Sequence, residues 1–172
     1  MAILALFLAL GGAACEGKRT PATVENENHN TAPALASVIR MNDPNASAQL
    51  PSGFYGVENN TWRWTAGKFS AVLRPPPAAA QNGATLTLAF TIPDGVIEKL
   101  KNITLTASVN GMALQSIKYE KPGPDAYTVG IPAALLAGDS VRIDFALDKS
   151  VPPGVDKREL GIVASSVGLS PK

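Results

Sequence analysis

Two segments of this chain concentrate the side chains that could do chemistry. The first, Gly53-Phe54-Tyr55-Gly56-Val57-Glu58-Asn59-Asn60-Thr61-Trp62-Arg63-Trp64-Thr65, holds both tryptophans, a tyrosine, an arginine and a carboxylate. The second, Asp156-Lys157-Arg158-Glu159-Leu160-Gly161-Ile162, opens on a run of four charged residues. Aromatic rings stack on the apolar faces of sugars, while carboxylates and guanidinium groups bond their hydroxyls. Tyr55, Glu58, Trp62, Arg63, Trp64, Asp156, Arg158 and Glu159 therefore form a candidate ligand-binding cluster. The same residues have a simpler, structural reading. In a strand Trp62 and Trp64 share one face and Arg63 takes the other. Tryptophans of a small domain usually fill its core, and Tyr55 with them. A partly buried Arg158 needs a carboxylate, and Glu58 is its natural partner. On that reading the charges tie a loop down.

The case for catalysis is thin. The only histidine, His29, lies in a polar stretch outside the periodic part of the sequence, so a Ser-His-Asp or Cys-His arrangement has no credible base. There is no histidine or cysteine cluster for zinc and no glycine-rich phosphate loop between a strand and a helix. Glu58, Asp94, Asp139, Asp148, Asp156 and Glu159 could supply paired carboxylates, but nothing in their spacing brings two together. The expectation is a non-enzymatic protein without metal or cofactor. Fifteen basic residues against fourteen acidic ones give a net charge of +1, which lacks the basic excess of a nucleic-acid binder. Asn-X-Ser/Thr triplets begin at Asn45, Asn59 and Asn102; they would be glycan acceptors only in a eukaryotic secretory route.

The single cysteine, Cys15, cannot make an internal disulfide. It follows the apolar run Ala2-Ile3-Leu4-Ala5-Leu6-Phe7-Leu8-Ala9-Leu10 and the small residues Gly11-Gly12-Ala13-Ala14, the layout of a secretory signal peptide. The run is shorter than the roughly 20 residues a membrane-spanning helix needs. Gly12-Ala13-Ala14-Cys15 resembles the lipobox of bacterial lipoproteins. It departs from that pattern at Gly12, where leucine is preferred, and in the missing positive charge near Met1. The resemblance implies that residues 1–14 are cleaved and that Cys15 is acylated. The protein would then be exported and held to the cell envelope by its lipid.

These groups need a scaffold to position them, and the rest of the chain indicates which. Residues 15–48 read as a polar tether, with Glu25-Asn26-Glu27-Asn28-His29-Asn30 too hydrophilic to bury a core. Only Ala34–Met41 carries scattered apolar residues, enough for a short helix or an early strand. From residue 49 onward, short alternating segments recur between turns. Thr85–Thr91, Ile103–Val109 and Val141–Leu147 each place apolar residues on one face at period two. Asn110-Gly111 reads as a tight hairpin between Ile103–Val109 and Met112–Tyr119. Pro122-Gly123-Pro124-Asp125 reads as a turn before a strand at Ala126–Val129, and Pro75-Pro76-Pro77 ends Phe69–Leu73. Pro132–Leu136 could form one helical turn with proline at its first position. About nine such strands and no long helical period predict an all-β domain over 49–172. The expected architecture is an antiparallel β-sandwich, jelly-roll or immunoglobulin-like, with a closed barrel as the alternative.

Taken together, Gly53–Glu58, Trp62-Arg63-Trp64-Thr65 and Asp156–Gly161 resemble the opening and closing motifs of a β-sandwich domain of bacterial envelope proteins. Similar domains accompany some glycosyltransferases. The resemblance covers roughly residues 50–170. It implies a sandwich similar to carbohydrate-binding modules, with a carbohydrate or an envelope protein as partner, and motifs that meet because the first and last strands are neighbours. The alternative it leaves open is a structural or assembly lipoprotein that contacts protein only.

Overall fold

The computed structural model describes residues 34–172. The signal peptide expected over 1–14, the lipidation expected at Cys15, His29 and the larger part of the expected tether lie outside the described residues.

The strands are β1 (Val38–Arg40), β2 (Ser52–Glu58), β3 (Trp62–Leu73), β4 (Ala84–Ile92), β5 (Ile103–Val109), β6 (Met112–Ala113), β7 (Ile117–Tyr119), β8 (Gly123–Ile131), β9 (Val141–Leu147) and β10 (Val163–Pro171). Two short helices, α1 (Ala79–Asn82) and α2 (Asp94–Leu100), flank β4. All strand pairings are antiparallel, in the order β6-β5-β9-β3-β10-β4-β8, with β1 on β10, β2 on β3 and β7 on β5.

β3 joins the two layers of the sandwich. Ser70 pairs with Ser52 of β2 on one edge and with Asp144 of β9 on the other. Arg63 pairs with Val57 of β2 on the first edge and with Ala164 of β10 on the second. One edge of β3 thus serves β9 along its C-terminal half and β10 near its start. The strand passes from the β5-β9 layer into the β10-β4-β8 layer. The layers face each other: the Tyr127 ring of β8 meets Phe145 of β9 at 6.4 Å, and Phe90 of β4 meets Tyr119 of β7 at 5.1 Å. No pairing joins β8 to β6 or β7, so the path stays open and the fold is a sandwich rather than a barrel.

Alternation makes these strands. Ala84, Leu86, Leu88, Phe90 and Ile92 of β4 point into the core, as do Ile103, Leu105, Ala107 and Val109 of β5 and Val141, Ile143, Phe145 and Leu147 of β9. Between β5 and β6, Asn110 and Gly111 take φ of 52° and 80°, the left-handed values a two-residue hairpin demands.

Three expectations are corrected. The tether does not extend to residue 48: Ile39, Met41 and Ala46 are buried core residues and β1 pairs with β10. Of the two readings of Ala34–Met41, a short helix or an early strand, the strand is the one present, as β1. The expected strand Met112–Tyr119 is broken in two. β6 pairs Ser108 with Ala113, whereas β7 pairs Leu105 with Ile117, which leaves one extra residue between them, a β-bulge. The strand expected at Ala126–Val129 begins earlier, at Gly123, because β8 is an edge strand and tolerates Pro124 there.

Candidate functional site

The β2–β3 connection and the segment before β10 bring the two motif regions together. Asn59 and Asn60 both adopt positive φ, 50° and 53°, a conformation asparagine tolerates better than most residues. The resulting three-residue turn sets Glu58 opposite Trp62. Thr65 then receives the closing segment. Its carbonyl accepts from the Gly161 amide at 2.7 Å, its amide donates to the Ile162 carbonyl at 2.9 Å, and its Oγ1 accepts from the Ile162 amide at 3.1 Å. No side chain fits at Gly161. A Cβ there would stand 2.6 Å from Leu147 Cδ1, 2.7 Å from Thr65 Oγ1 and 2.8 Å from the Ala66 carbonyl oxygen.

This docking carries Arg158 to Glu58. Arg158 Nη1 lies 2.7 Å from Glu58 Oε1, and Nη2 lies 2.8 Å from Asp156 Oδ2. The guanidinium carbon stands 5.1 Å from the centroid of the Tyr55 ring, and the Tyr55 hydroxyl donates to the Glu159 carbonyl at 2.9 Å. The ion pair expected from sequence is present, and Asp156 joins it. Hydrogen bonds from the Arg158 side chain and backbone hold the Asp156 carboxyl at about 2, below the usual carboxylate range. Bonds to Asp156 and Glu58 push the Arg158 guanidinium up. Arg63 is also engaged: Nε donates to the Met41 carbonyl at 2.9 Å and Nη1 to the Tyr55 carbonyl at 3.1 Å. Glu159 accepts from the Ser150 hydroxyl over Gly67. The polar members of the cluster thus bond to one another and to backbone, and most of their capacity is taken by closing the fold. Glu58 and Asp156, the two candidate carboxylates brought together, share Arg158. Asp148 accepts from the Thr104 amide at 2.6 Å. Among the described residues there is no group of three or more His, Cys, Asp or Glu side chains placed to hold a metal ion.

The tryptophans behave differently. Neither is fully buried, and the rings meet edge to face at 6.4 Å. Trp64 packs against the rim of the core without filling it. One side of it lines a cleft of about 280 Å3 with Pro93, Gly95, Val96, Lys99, Val151 and Leu160. The core-filling reading of Trp64 is therefore corrected: Phe69, Phe145 and Tyr127 occupy the centre. Sequence reasoning missed the α2 side of this cleft. Its available signal was Asp94 in the first turn and Lys99 in the last, charges that suit the two ends of a helix.

No protein-family model matches the chain, and no curated protein matches it in sequence. Several solved structures are similar in part. A carbohydrate-binding module described for specific mannan recognition, TmCBM27, has a TM-score of 0.44 and 14% identity, over 80% of this chain and 97% of that one. An acetyl xylan esterase, Est2A, from the rumen bacterium Butyrivibrio proteoclasticus has a TM-score of 0.48 and 8% identity, over 80% of this chain. A family GH115 4-O-methyl-α-glucuronidase, BtGH115A, has a TM-score of 0.44 and 12% identity, over 64% of this chain. The chain spans 33% of the esterase and 14% of the glucuronidase. The fold class of the present chain stands on its own strand pairing.

Proposed function

We propose that this protein is a non-enzymatic envelope lipoprotein, anchored through Cys15, whose sandwich binds a glycan at the Trp64 cleft. The observation that carries the binding reading is the state of Trp64. Its ring is half-buried, lines an apolar cleft and is backed by Trp62, while Lys99 supplies a polar group beside it. An amphipathic indole fixed at an open cleft suits the apolar face of a sugar ring. The test is a glycan-array screen of the full chain followed by calorimetry. A hit should weaken at least tenfold, about 1.4 kcal/mol, in Trp64→Ala. Unchanged affinity in a folded Trp64→Ala protein sinks the cleft as the site.

The second reading, a structural lipoprotein that contacts protein only, is favoured by one observation. Most of the bonding capacity of the polar motif residues is taken by one another and by backbone, which leaves a ligand little. A screen without glycan binding at high protein concentration would select it. The anchor is tested separately, because both readings share it. Cys15→Ser should release the protein from membranes with its fold unchanged, and persistent membrane association would defeat lipid attachment.

A further inference from the structure

The outer face of the β2-β3-β9-β5 layer carries a groove of about 320 Å3 that no sequence motif pointed to. Strand register places its residues in rows. Ser52 faces Ser70, Ser70 faces Asp144 and Asp144 faces Ser108, while Lys68, Ala146 and Thr106 form the neighbouring row. At about 4.8 Å between strands, four strands make a trough roughly 14 Å across. Serine, threonine and alanine along the middle leave it open, and Lys68 and Arg142 stand as its long side chains.

Its chemistry differs from that of the Trp64 cleft. The rings behind it, Phe69 and Phe145, are each 2% exposed, so it offers no aromatic platform. It offers oriented charge. The hydroxyls beside it are already bonded, Ser52 to Ser70 at 2.7 Å, Thr106 to Ser116 at 2.6 Å and Ser108 to the Asp144 carbonyl at 3.5 Å, and keep mainly acceptor capacity to spare. Arg142 Nε donates to Asp144 Oδ1 at 2.8 Å and Nη2 donates to Ser70 Oγ at 3.1 Å. These bonds hold the guanidinium in place and leave other N–H donors for a ligand. Lys68 is exposed and has no carboxylate partner among the described residues. Two cations against one carboxylate leave the groove net positive. A pre-positioned guanidinium near an ammonium suits a carboxylate. A small inorganic anion would use those cations and fill little of a trough that spans four strands, whereas a chain of sugar rings matches its width.

We propose that this groove is a second ligand site that takes a carboxylate-bearing sugar chain, a glycan of the uronic-acid type. The proposal does not depend on the Trp64 cleft, and its failure is separable from failure there. The probe is oligogalacturonate, measured by calorimetry on the full chain at low and high salt, beside its neutral methyl ester. Expected are binding that weakens as salt screens the cations, and a loss of about tenfold for the methyl ester, for Arg142→Ala and for Lys68→Ala. Trp64→Ala should leave it unchanged. Arg142→Ala also strips Asp144 of its partner, so the exposed Lys68→Ala keeps the test clear of folding effects. Absence of oligogalacturonate binding, equal affinity for the ester, or unchanged affinity in Lys68→Ala would overturn the groove. Binding lost in Trp64→Ala and kept in Lys68→Ala would also overturn it, moving the ligand to the cleft.

Discussion

Tyr127→Phe removes one oxygen from the centre of the molecule, and the structure says what that oxygen does. In an unbroken ladder the Ala107 amide of β5 would donate to the strand it faces. The bulge after β6 takes that acceptor away, and the Tyr127 hydroxyl from the opposite layer fills the gap. It accepts from the Ala107 amide at 3.2 Å and donates to the Gln115 carbonyl at 2.6 Å. Phenylalanine keeps the ring and its edge contact with Phe145, so the change isolates the hydroxyl. Ala107 is 0% exposed, so its N–H is left without an acceptor, a cost of about 1–3 kcal/mol. Gln115 is exposed, so its carbonyl turns to water and only the net bond, about 0.5–1.5 kcal/mol, is lost. The sum runs over about 1.5–4.5 kcal/mol and centres on about 3 kcal/mol. For a domain of about 140 residues this centre lowers the melting temperature by about 10 °C. Urea unfolding followed by circular dichroism should show a lower midpoint at unchanged slope. The Ala107 amide should lose hydrogen-exchange protection. A Tyr127→Phe protein melting within about 1 °C of wild type would show that the bulge closes without the tyrosine, and the reasoning would fail.

Gly161→Ala pushes a methyl group against the Ala66 carbonyl, which cannot swing aside, and against Thr65 Oγ1. We expect a loss of about 3 kcal/mol or more, measured by thermal melts, with Arg158 and Glu159 pulled off the rest of the motif. The Asp156 carboxyl is held at about 2 in the folded chain, below an unfolded value of about 3.9. Its stabilisation is complete above the unfolded value and disappears as pH falls toward the folded one. The stability advantage of wild type over Asp156→Asn should therefore be constant from neutral pH down to about 4 and vanish by about 2. An advantage that persists there would show that charge on Asp156 is not its source.

Much of the scaffold was legible because half-buried strands advertise themselves by alternation, as Leu86, Leu88 and Phe90 do. Asn110-Gly111 was legible because few residue pairs accept two consecutive positive φ angles. The Arg158–Glu58 pair was legible by charge: a half-buried guanidinium needs a carboxylate, and the two motifs sit at opposite ends of the domain. What escaped depends on distant chain. At Ala34–Met41 the choice between a short helix and an early strand stayed open in sequence, and β10 lying beside Val38–Arg40 decides it for the strand. The bulge at Gln115 is stable because Tyr127 reaches it from the other layer. The groove escaped because its row of small side chains is assembled from four strands, and in sequence each looks like an ordinary solvent-facing serine, threonine or alanine. Trp64 was misplaced for a related reason. Its ring suits a core, but the centre is already filled by Phe69 stacked on Phe145 at 5.0 Å, with Tyr127 on the latter.

The order of the strands also fixes when the fold can close. β10 lies between β4 on one side and β1 with the start of β3 on the other, so the last strand in sequence is internal to its layer. Until it arrives, β4 has lost one neighbour and β1 has none. Ala164, Val167 and Leu169 are then missing from the core as well. The pairings that finish the sandwich span most of the domain, and such non-local closure carries a high loop-closure cost. Arg158, Glu159 and Gly161 immediately precede that strand, and their bonds to Glu58, Tyr55 and Thr65 fasten its entrance to the first hairpin. On this account the dense charges of the closing motif act first on chain closure. Ligand chemistry is then better sought where capacity is left over, on the open side of Trp64 and at Lys68 and Arg142.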